Sequence, residues 1–429
     1  MKLTPKQQIA FDTITDCIAN KNPVLLTGFA GTGKSTTIAT VIKSLSHKMI
    51  TIATPTHKAA AVLLAMLETN GIISPNVKVT TIHKALGKRP QRQGGGTMTF
   101  SRPTKEIYGI LIIDECSMID GELFEDINQA APTASIVYVG DPAQLPPASG
   151  NGALSPVFSS IAHRAHLSEV IRQGVGNPII NLSEALRRVM EACVHITVSD
   201  VVEMVNEYDK DGEKIGMIQK NDIADYCADA IKNSLDCRYL AYRNDTIDKH
   251  MTEIRQQLHG RDVQGFVVGE PVTSLTGIQG VINNNHEGNI TKLGEITKLH
   301  GITCCPVTLD DELTVFAAID IKEKQNKEIG FFRLFEKFKA QAGLTADFKT
   351  KADALEKSLE ASAQGYKIRD EIAELRPCVA STVHKAQGST FDVAIVDVAD
   401  ILTMRNRSEA LQCLYVAVTR PKTYLILVV

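Results

Sequence analysis

Apolar residues in the first third of the chain come in short unbroken runs: VLLT from Val24, MITIAT from Met49, ILIID from Ile110 and SIVYVGD from Ser135. Such runs, each followed by small or polar residues, mark strands covered on both faces, and the stretches between them have helical spacing. The segment from Val24 to about Gly140 therefore predicts parallel α/β architecture. Ligands of such sheets collect where strands end, so Gly28, Thr54, Asp114 and Asp141 are expected to line one crevice at the carboxyl edge.

Residues 88–108 interrupt this pattern. Pro90, the Gly94-Gly95-Gly96 tip and the β-prone Thr97-Met98-Thr99-Phe100 predict an inserted hairpin. A second α/β unit opens near Ala165, with CRYLAY (237–242), VAIVDV (393–398) and YLILVV (424–429) as strands. Strand-like residues from about 255 to 320, with turn signals at Asn283-Asn284-Asn285 and Gly288, predict a small β-barrel. From 328 to 370 the composition turns helical and charged, and Phe331, Leu334, Phe335 and Phe338 recur at helical spacing as a core stripe. No internal repeat is evident.

At 429 residues the chain is too long for one core, so several domains are expected. Hydrophobic residues make up 44%, yet no apolar stretch reaches the roughly 18 residues of a membrane span. Met1-Lys2-Leu3-Thr4 lacks the layout of a secretory leader, and the nine cysteines include no CxxC pair, fitting reduced thiols better than disulfides or zinc. A soluble cytosolic protein without membrane contact is expected. Net charge is −3, so a polyanionic partner must be held by a local basic track. The stretch from His83 to Lys105 offers one, with Lys84, Lys88, Arg89, Arg92, Arg102 and Lys105 and no acidic residue.

The chemistry is concentrated at the strand ends. Gly28-Phe29-Ala30-Gly31-Thr32-Gly33-Lys34-Ser35 follows a strand and opens a helix, the context that turns a glycine-rich octet into a phosphate cradle. Glycines let backbone amides wrap a phosphate, Lys34 reaches the β/γ oxygens, and Ser35 can ligate Mg²⁺. The nucleotide-holding set is Gly28, Ala30, Gly31, Thr32, Gly33, Lys34, Ser35 and Thr36. Asp114 and Glu115 end an apolar strand, which places one carboxylate for the Mg²⁺ shell and the next beside an attacking water. That second carboxylate favours hydrolysis over phosphoryl transfer to a metabolite. Gln144, in Gly140-Asp141-Pro142-Ala143-Gln144-Leu145-Pro146-Pro147, is a neutral amide able to sense a γ-phosphate or orient water.

The ordered set resembles the superfamily 1 helicases, and within them the 5′ to 3′ branch of RecD-like and Dda-like enzymes. Leu3-Thr4-Pro5-Lys6-Gln7 is similar to the adenine-reading Q motif, Ala53 to Ala60 to motif Ia, and Thr81-Ile82-His83 to motif Ib. Asp114-Glu115 matches motif II and Gly140 to Pro147 motif III. Leu167 to Gln173 is similar to motif IV, Ser381 to Thr390, which contains HKAQGST, to motif V, and Tyr415 to Arg420 to motif VI.

This resemblance implies two RecA-like parallel-sheet domains around one ATP. The first would span residues 1–165 with the hairpin as a separation pin, and the second 166–254 and 376–429. An SH3-like barrel with a helical prop would occupy 255–375. It implies Gln7 and Gly388 at the nucleotide, and Arg172 and Arg420 reaching the γ-phosphate from the second domain. It further implies a strand-binding face of Pro55, Thr56, His57, Lys58, Thr81, His83, Thr382, His384 and Lys385, with Met98 or Phe100 as the wedge at a fork. Contacts of that kind hold phosphates or stack on bases without reading sequence. Ile171 leaves the motif IV arginine without an aromatic neighbour to stack on adenine, which favours 5′ to 3′ polarity. The expected protein is a monomeric ATP- and Mg²⁺-dependent DNA helicase acting on single-stranded and forked DNA. It would work in a bacterial or phage-infected cytosol, beside replication or recombination proteins. An RNA-directed relative and a nonhydrolysing scaffold remain the alternatives, and Lys34, Glu115, Gln144, Arg172 and Arg420 together weigh against the scaffold.

Overall fold

The computed structural model describes residues 3–92, 98–147, 152–169, 176–261, 263, 265–345 and 347–429, with side chains described outside 90–92 and 98. Arg172 and the rest of 170–175 lie outside the described residues. The chain forms two compact units, one of residues 1–89, 102–258 and 379–429 and the other of 90–101 and 259–378.

The first unit contains two parallel sheets. Across the six-stranded sheet the strands run Val77–Thr81, Ile50–Thr54, Ile110–Ile113, Ser135–Gly140, Val24–Gly28 and His163–Leu167. Alternate residues face opposite cores: Val24, Leu26, Ile110 and Ile112 pack into one, and Leu25, Leu111 and Ile113 into the other. Two-faced burial is what the unbroken apolar runs require. The five-stranded sheet runs Ala380–Thr382, Cys237–Ala241, Phe391–Asp397, Pro421–Val428 and Ile215–Ile218, again all parallel. Leu240, Val396, Leu425 and Leu427 face one core, Tyr239, Ile395 and Ile426 the other. The two sheets define two lobes within this unit.

The boundary expected at Ala165 falls later, because His163–Leu167 pairs with Val24–Gly28 as an edge strand of the first sheet. Val77–Thr81, at the opposite edge, is a strand that the apolar runs did not indicate.

The second unit holds a seven-stranded, mainly antiparallel sheet built from 271–318 and closed by Ile372–Ala373 and Leu375–Pro377. Two long helices, Ile321–Leu344 and Phe348–Glu371, follow each other in the chain. The stripe expected to be core is only partly so: Leu334 is 41% exposed. Phe332 is the ring that packs between the helices, edge-on to Tyr366 and so close to Gly365 that an added Cβ there would lie 3.1 Å from it. A buried ion cluster ties Lys324 to Glu374 at 2.7 Å and Glu328 at 3.6 Å. The hairpin strands Pro90–Arg92 and Met98–Phe100 pair antiparallel and belong to this unit, whereas the sequence placed them with the first sheet. No helix among the described residues is long and apolar enough to cross a membrane.

Candidate active site

The phosphate loop is shaped by its glycines. Gly31 and Gly33 have φ of 80° and 83°, in the left-handed region that other residues adopt at a cost. A Cβ on Gly28 would lie 2.7 Å from the Thr32 hydroxyl and 2.9 Å from the Leu167 carbonyl. Helix Lys34–Ser44 starts directly after, with its first amides at the loop. Lys34 Nζ donates to the carbonyls of Gly28 at 2.7 Å and Phe29 at 2.9 Å, so its charge lies across the loop it serves. Ser35 is exposed, Thr36 half-buried and Thr32 buried, its hydroxyl donating to Phe29 O at 2.9 Å.

Gln7 sits in the first turn of helix Pro5–Ala19, where it forms a capping box with Thr4. Its amide oxygen accepts from Thr4 N at 3.0 Å and its amide nitrogen donates to Thr32 O at 3.4 Å, joining this helix to the phosphate loop.

Asp114 and Glu115 stand at the carboxyl end of Ile110–Ile113, one strand removed from the phosphate-loop strand. Burial holds the Asp114 carboxyl above its usual range, against a backbone hydrogen bond from Glu115 and the charge of Lys34. Burial and the neighbouring Asp114 push Glu115 up to about 7, opposed by Lys34 and Arg420. Glu115 also adopts a left-handed φ of 55°, uncommon for a residue with a side chain. Lys34 thus lies within electrostatic reach of both carboxylates, and Arg420 of the second lobe within reach of Glu115.

Arg420 reaches this place from the second lobe. It is buried, donating from Nε to Val416 O at 2.9 Å, from Nη1 to Ser389 O at 3.1 Å and from Nη2 to Thr419 Oγ1 at 3.0 Å. Gln144 is buried as well, its amide oxygen accepting from Gln387 Nε2 at 3.1 Å across the lobes. Gln387 also approaches the Ser117 hydroxyl at 3.4 Å. Gly388 has φ of 76°, and a Cβ there would lie 3.3 Å from Ala59 Cβ of the first lobe.

The strand-binding candidates divide by exposure. Pro55, Thr56, His57 and Lys58 are half-buried, and Thr56 caps helix His57–Thr69 by accepting from Ala59 N at 3.1 Å. Lys58 lies 5.4 Å from the Phe391 ring centre. Thr81 and Thr382 are buried, at the ends of edge strands. Each precedes a short helix carrying a half-buried histidine, Ile82–Ala85 with His83 and Val383–Ala386 with His384. The pentapeptides Thr81-Ile82-His83-Lys84-Ala85 and Thr382-Val383-His384-Lys385-Ala386 are therefore a repeat, placed at the same edge position of the two sheets. Five residues 301 positions apart escape a search for long repeats, although the identity of Thr, His, Lys and Ala was there to be read. Burial lowers His57, His83 and His384, helped by Lys84 at His57 and by Lys88 at His83 and opposed by Glu409 at His384, which favours the neutral rings.

Within the basic track, Lys88 is turned inward. It is buried and paired with Asp126 and, at 3.6 Å, Glu122. Lys84, Arg89, Arg102 and Lys105 are exposed, and Phe100 is 42% exposed. The side chains of Arg92 and Met98 lie outside those described.

Three further residues meet at the cleft. Tyr415 and Gln387 sit inside strings already singled out, so their positions were visible but their contacts were not. Arg187 carried no such signal: it lies on the amphipathic helix Pro178–Glu191, with its guanidinium 3.2 Å from the ring centre of Phe29 in the phosphate loop.

A phosphate loop and two carboxylates on one parallel sheet, faced by a buried arginine from a second, define a two-lobed P-loop protein. An AAA domain family matches residues 2–209 and a UvrD-like helicase C-terminal domain family residues 377–428. The chain is 26% identical over 455 residues to the ATP-dependent DNA helicase dda of Enterobacteria phage T4, covering 97% of both chains. It is 34% identical over 178 residues to the ATP-dependent RecD2 DNA helicase of Deinococcus radiodurans, covering 41% of this chain and 23% of that one. The fold is similar to that of the Pif1 helicase from Bacteroides in complex with ADP-AlF3 and single-stranded DNA, with a TM-score of 0.55 and 17% identity, over 100% of this chain and 92% of that one. The two domain matches and the full-length similarity to dda support a superfamily 1B helicase related to Dda and RecD.

Proposed function

We propose that this protein is an ATP-dependent DNA helicase that moves 5′ to 3′ along single-stranded DNA and separates duplex ahead of it. The observation that carries this reading is the cleft in which Lys34 of one lobe faces Asp114 and Glu115, and Arg420 of the other lobe lies within electrostatic reach of Glu115. A charge that builds on a transferred phosphoryl group is best neutralised by a positioned arginine, and drawing that arginine from another lobe ties hydrolysis to closure. Lys34 would bind the phosphates and Glu115 would orient water and accept its proton. Gln144 would link the nucleotide to Gln387, and Gln7 and Gly388 would border the pocket.

Mg²⁺ fits the donors present. Ser35 offers an exposed hydroxyl at a helix start and Asp114 a single carboxylate beside the charge of Lys34, leaving phosphate and water to complete an oxygen shell. When bound, Mg²⁺ neutralises charge on the β and γ oxygens. Arg172 is proposed as a second cation from motif IV, on sequence alone.

The repeated Thr-x-His-Lys-Ala corners give each lobe one equivalent grip on the strand. His57 and Lys58 add to the first, and the neutral histidines can bond phosphate or stack without a charge. Equivalent grips on two lobes that open and close around one nucleotide produce net movement along a polymer. Forked substrates with only a 5′ or only a 3′ tail test activity and direction together. Strand displacement with ATP is expected on the 5′-tailed fork, and none with Lys34→Ala. Displacement only from the 3′ tail would overturn the polarity, and equal ATPase stimulation by dT and rU oligomers would overturn the preference for DNA.

Residues 90–101 are proposed as the separation pin, with the exposed Phe100 against the terminal base pair and the antiparallel sheet with its two long helices as the SH3-like barrel and prop. Phe100→Ala is expected to cut base pairs opened per ATP by about fivefold to tenfold, in line with ~1–3 kcal/mol for a base–aromatic stack. Single-strand-stimulated ATPase should stay at the wild-type rate. An unchanged unwinding yield per ATP would remove Phe100 from the wedge.

A further inference from the structure

The hydroxyl of Tyr415 joins three parts of the cleft. Tyr415 lies on helix Arg407–Val418 of the second lobe, three residues before the end of the helix that leads into Arg420. Its Oη donates to Asp141 Oδ2 at 2.8 Å and accepts from the backbone N–H of Ala30 in the phosphate loop at 3.4 Å. Tyr415 and Asp141 are 2% and 0% exposed. A phenol has one proton, and a buried carboxylate beside it can only accept. The direction of the chain is therefore fixed, from Ala30 N–H to the Tyr415 oxygen and from the Tyr415 proton to Asp141. Burial and the charge of Asp141 also push the phenol above its usual range, so the proton stays on oxygen.

Asp141 is itself held by the turn it begins. Its Oδ1 accepts from Ala143 N at 3.0 Å and its carbonyl from Gln144 N at 3.1 Å. The second lobe clasps the same turn at two more places, Gln412 Nε2 to Pro142 O at 3.4 Å and Gln387 to Gln144. One hydroxyl thus measures the position of a phosphate-loop amide against the turn that carries Gln144, from the helix that leads into Arg420.

We propose that Tyr415 is a positioning residue that sets the closed spacing between the phosphate loop and Arg420. It is needed for the rate of hydrolysis and not for holding the nucleotide. This rests on the ATPase reading above. A loss of register of about an ångström between reacting groups costs on the order of 10²-fold in rate, whereas nucleotide affinity is supplied mainly by the loop's own amides and Lys34.

Tyr415→Phe removes the hydroxyl and keeps the ring. Its strand-stimulated kcat is expected to fall about 10- to 100-fold with KM for ATP within about threefold of wild type. Asp141→Asn should fall similarly, and the double variant should be no slower than the worse single one, as for residues acting through one contact. Hydrogen exchange of the 28–33 segment in nucleotide-free protein reads the same contact without turnover. Exchange at the Ala30 amide should quicken about tenfold in Tyr415→Phe, with the thermal midpoint near that of wild type. If wild-type protein lacks strand-stimulated ATPase, the enzyme reading fails while the exchange result still judges the contact. An unchanged kcat, a KM rising in step with the fall in kcat, or unchanged exchange at Ala30 would each overturn the proposal.

Discussion

Arg420→Ala is expected to lower strand-stimulated ATP turnover by about 10³- to 10⁵-fold while leaving nucleotide binding nearly intact. The loss is large because the guanidinium acts on charge that exists only while the phosphoryl group is in transfer. Its charge opposes the raised Glu115 carboxyl from across the cleft, the placement this role would need. A competing account makes Arg420 a structural buried cation, because Val416 O, Ser389 O and Thr419 Oγ1 all accept from it. Arg420→Lys separates the two. Lysine keeps one charge but cannot reproduce the planar fork of donors that arginine would turn from its own lobe to a bound nucleotide. Measured by single-turnover hydrolysis and by titration with a fluorescent ATP analogue, both variants should bind and fail to turn over. A residual rate within tenfold of wild type in Arg420→Ala would remove the cross-lobe arginine from the reaction.

The legibility of the fold follows burial. Central strands, covered on both faces, are continuous apolar runs, and Val24–Gly28, Ile110–Ile113, Cys237–Ala241 and Phe391–Asp397 could be read directly. Edge strands have one wet side and lose that signature. Val77–Thr81 and His163–Leu167 are the two edges of the first sheet; the first shows no apolar run and the second coincides with the expected domain boundary. In His163–Leu167 only Ala165 and Leu167 are buried, so its sequence resembles a linker as much as a strand. Ile215–Ile218, an edge of the second sheet, has the same ambiguity.

The site divides along similar lines. Phosphate-loop chemistry is local: glycines, a lysine and a helix start lie within eight consecutive residues, so sequence alone specifies most of the geometry. Cross-lobe contacts depend on two distant segments meeting, and nothing in either segment states its partner. Tyr415 with Asp141 joins residues 274 apart, and Gln387 with Gln144 residues 243 apart. Lys88 shows the reverse failure. A cation in an acid-free stretch reads as part of a binding track until Asp126, on a helix elsewhere in the lobe, takes it inward. Charge runs describe a face only when no partner from another element intervenes.

Glu115→Gln is expected to reduce kcat by about 10²- to 10⁴-fold, the usual contribution of a positioned acid–base group, and at the same time to stabilise the unloaded protein above neutral pH. The two effects share one cause. Burial and Asp114 raise the Glu115 carboxyl from 4.5 to about 7, so the folded protein holds this proton more tightly than the unfolded chain does. Between those values the folded state binds more protons than the unfolded one, and stability therefore falls as pH rises through the window. Below the unfolded value both states are protonated and the cost disappears. Glutamine has no proton to lose. Its variant should match wild type near pH 4 and exceed it at pH 8 by on the order of 1–2 kcal/mol, a few degrees in the thermal midpoint, with metal and nucleotide absent. Melting curves of both proteins across that range read the difference directly. A variant no more stable than wild type at pH 8 would mean that the carboxylate is already compensated in the empty cleft. Lys34 and Arg420 would then neutralise the pair before nucleotide arrives.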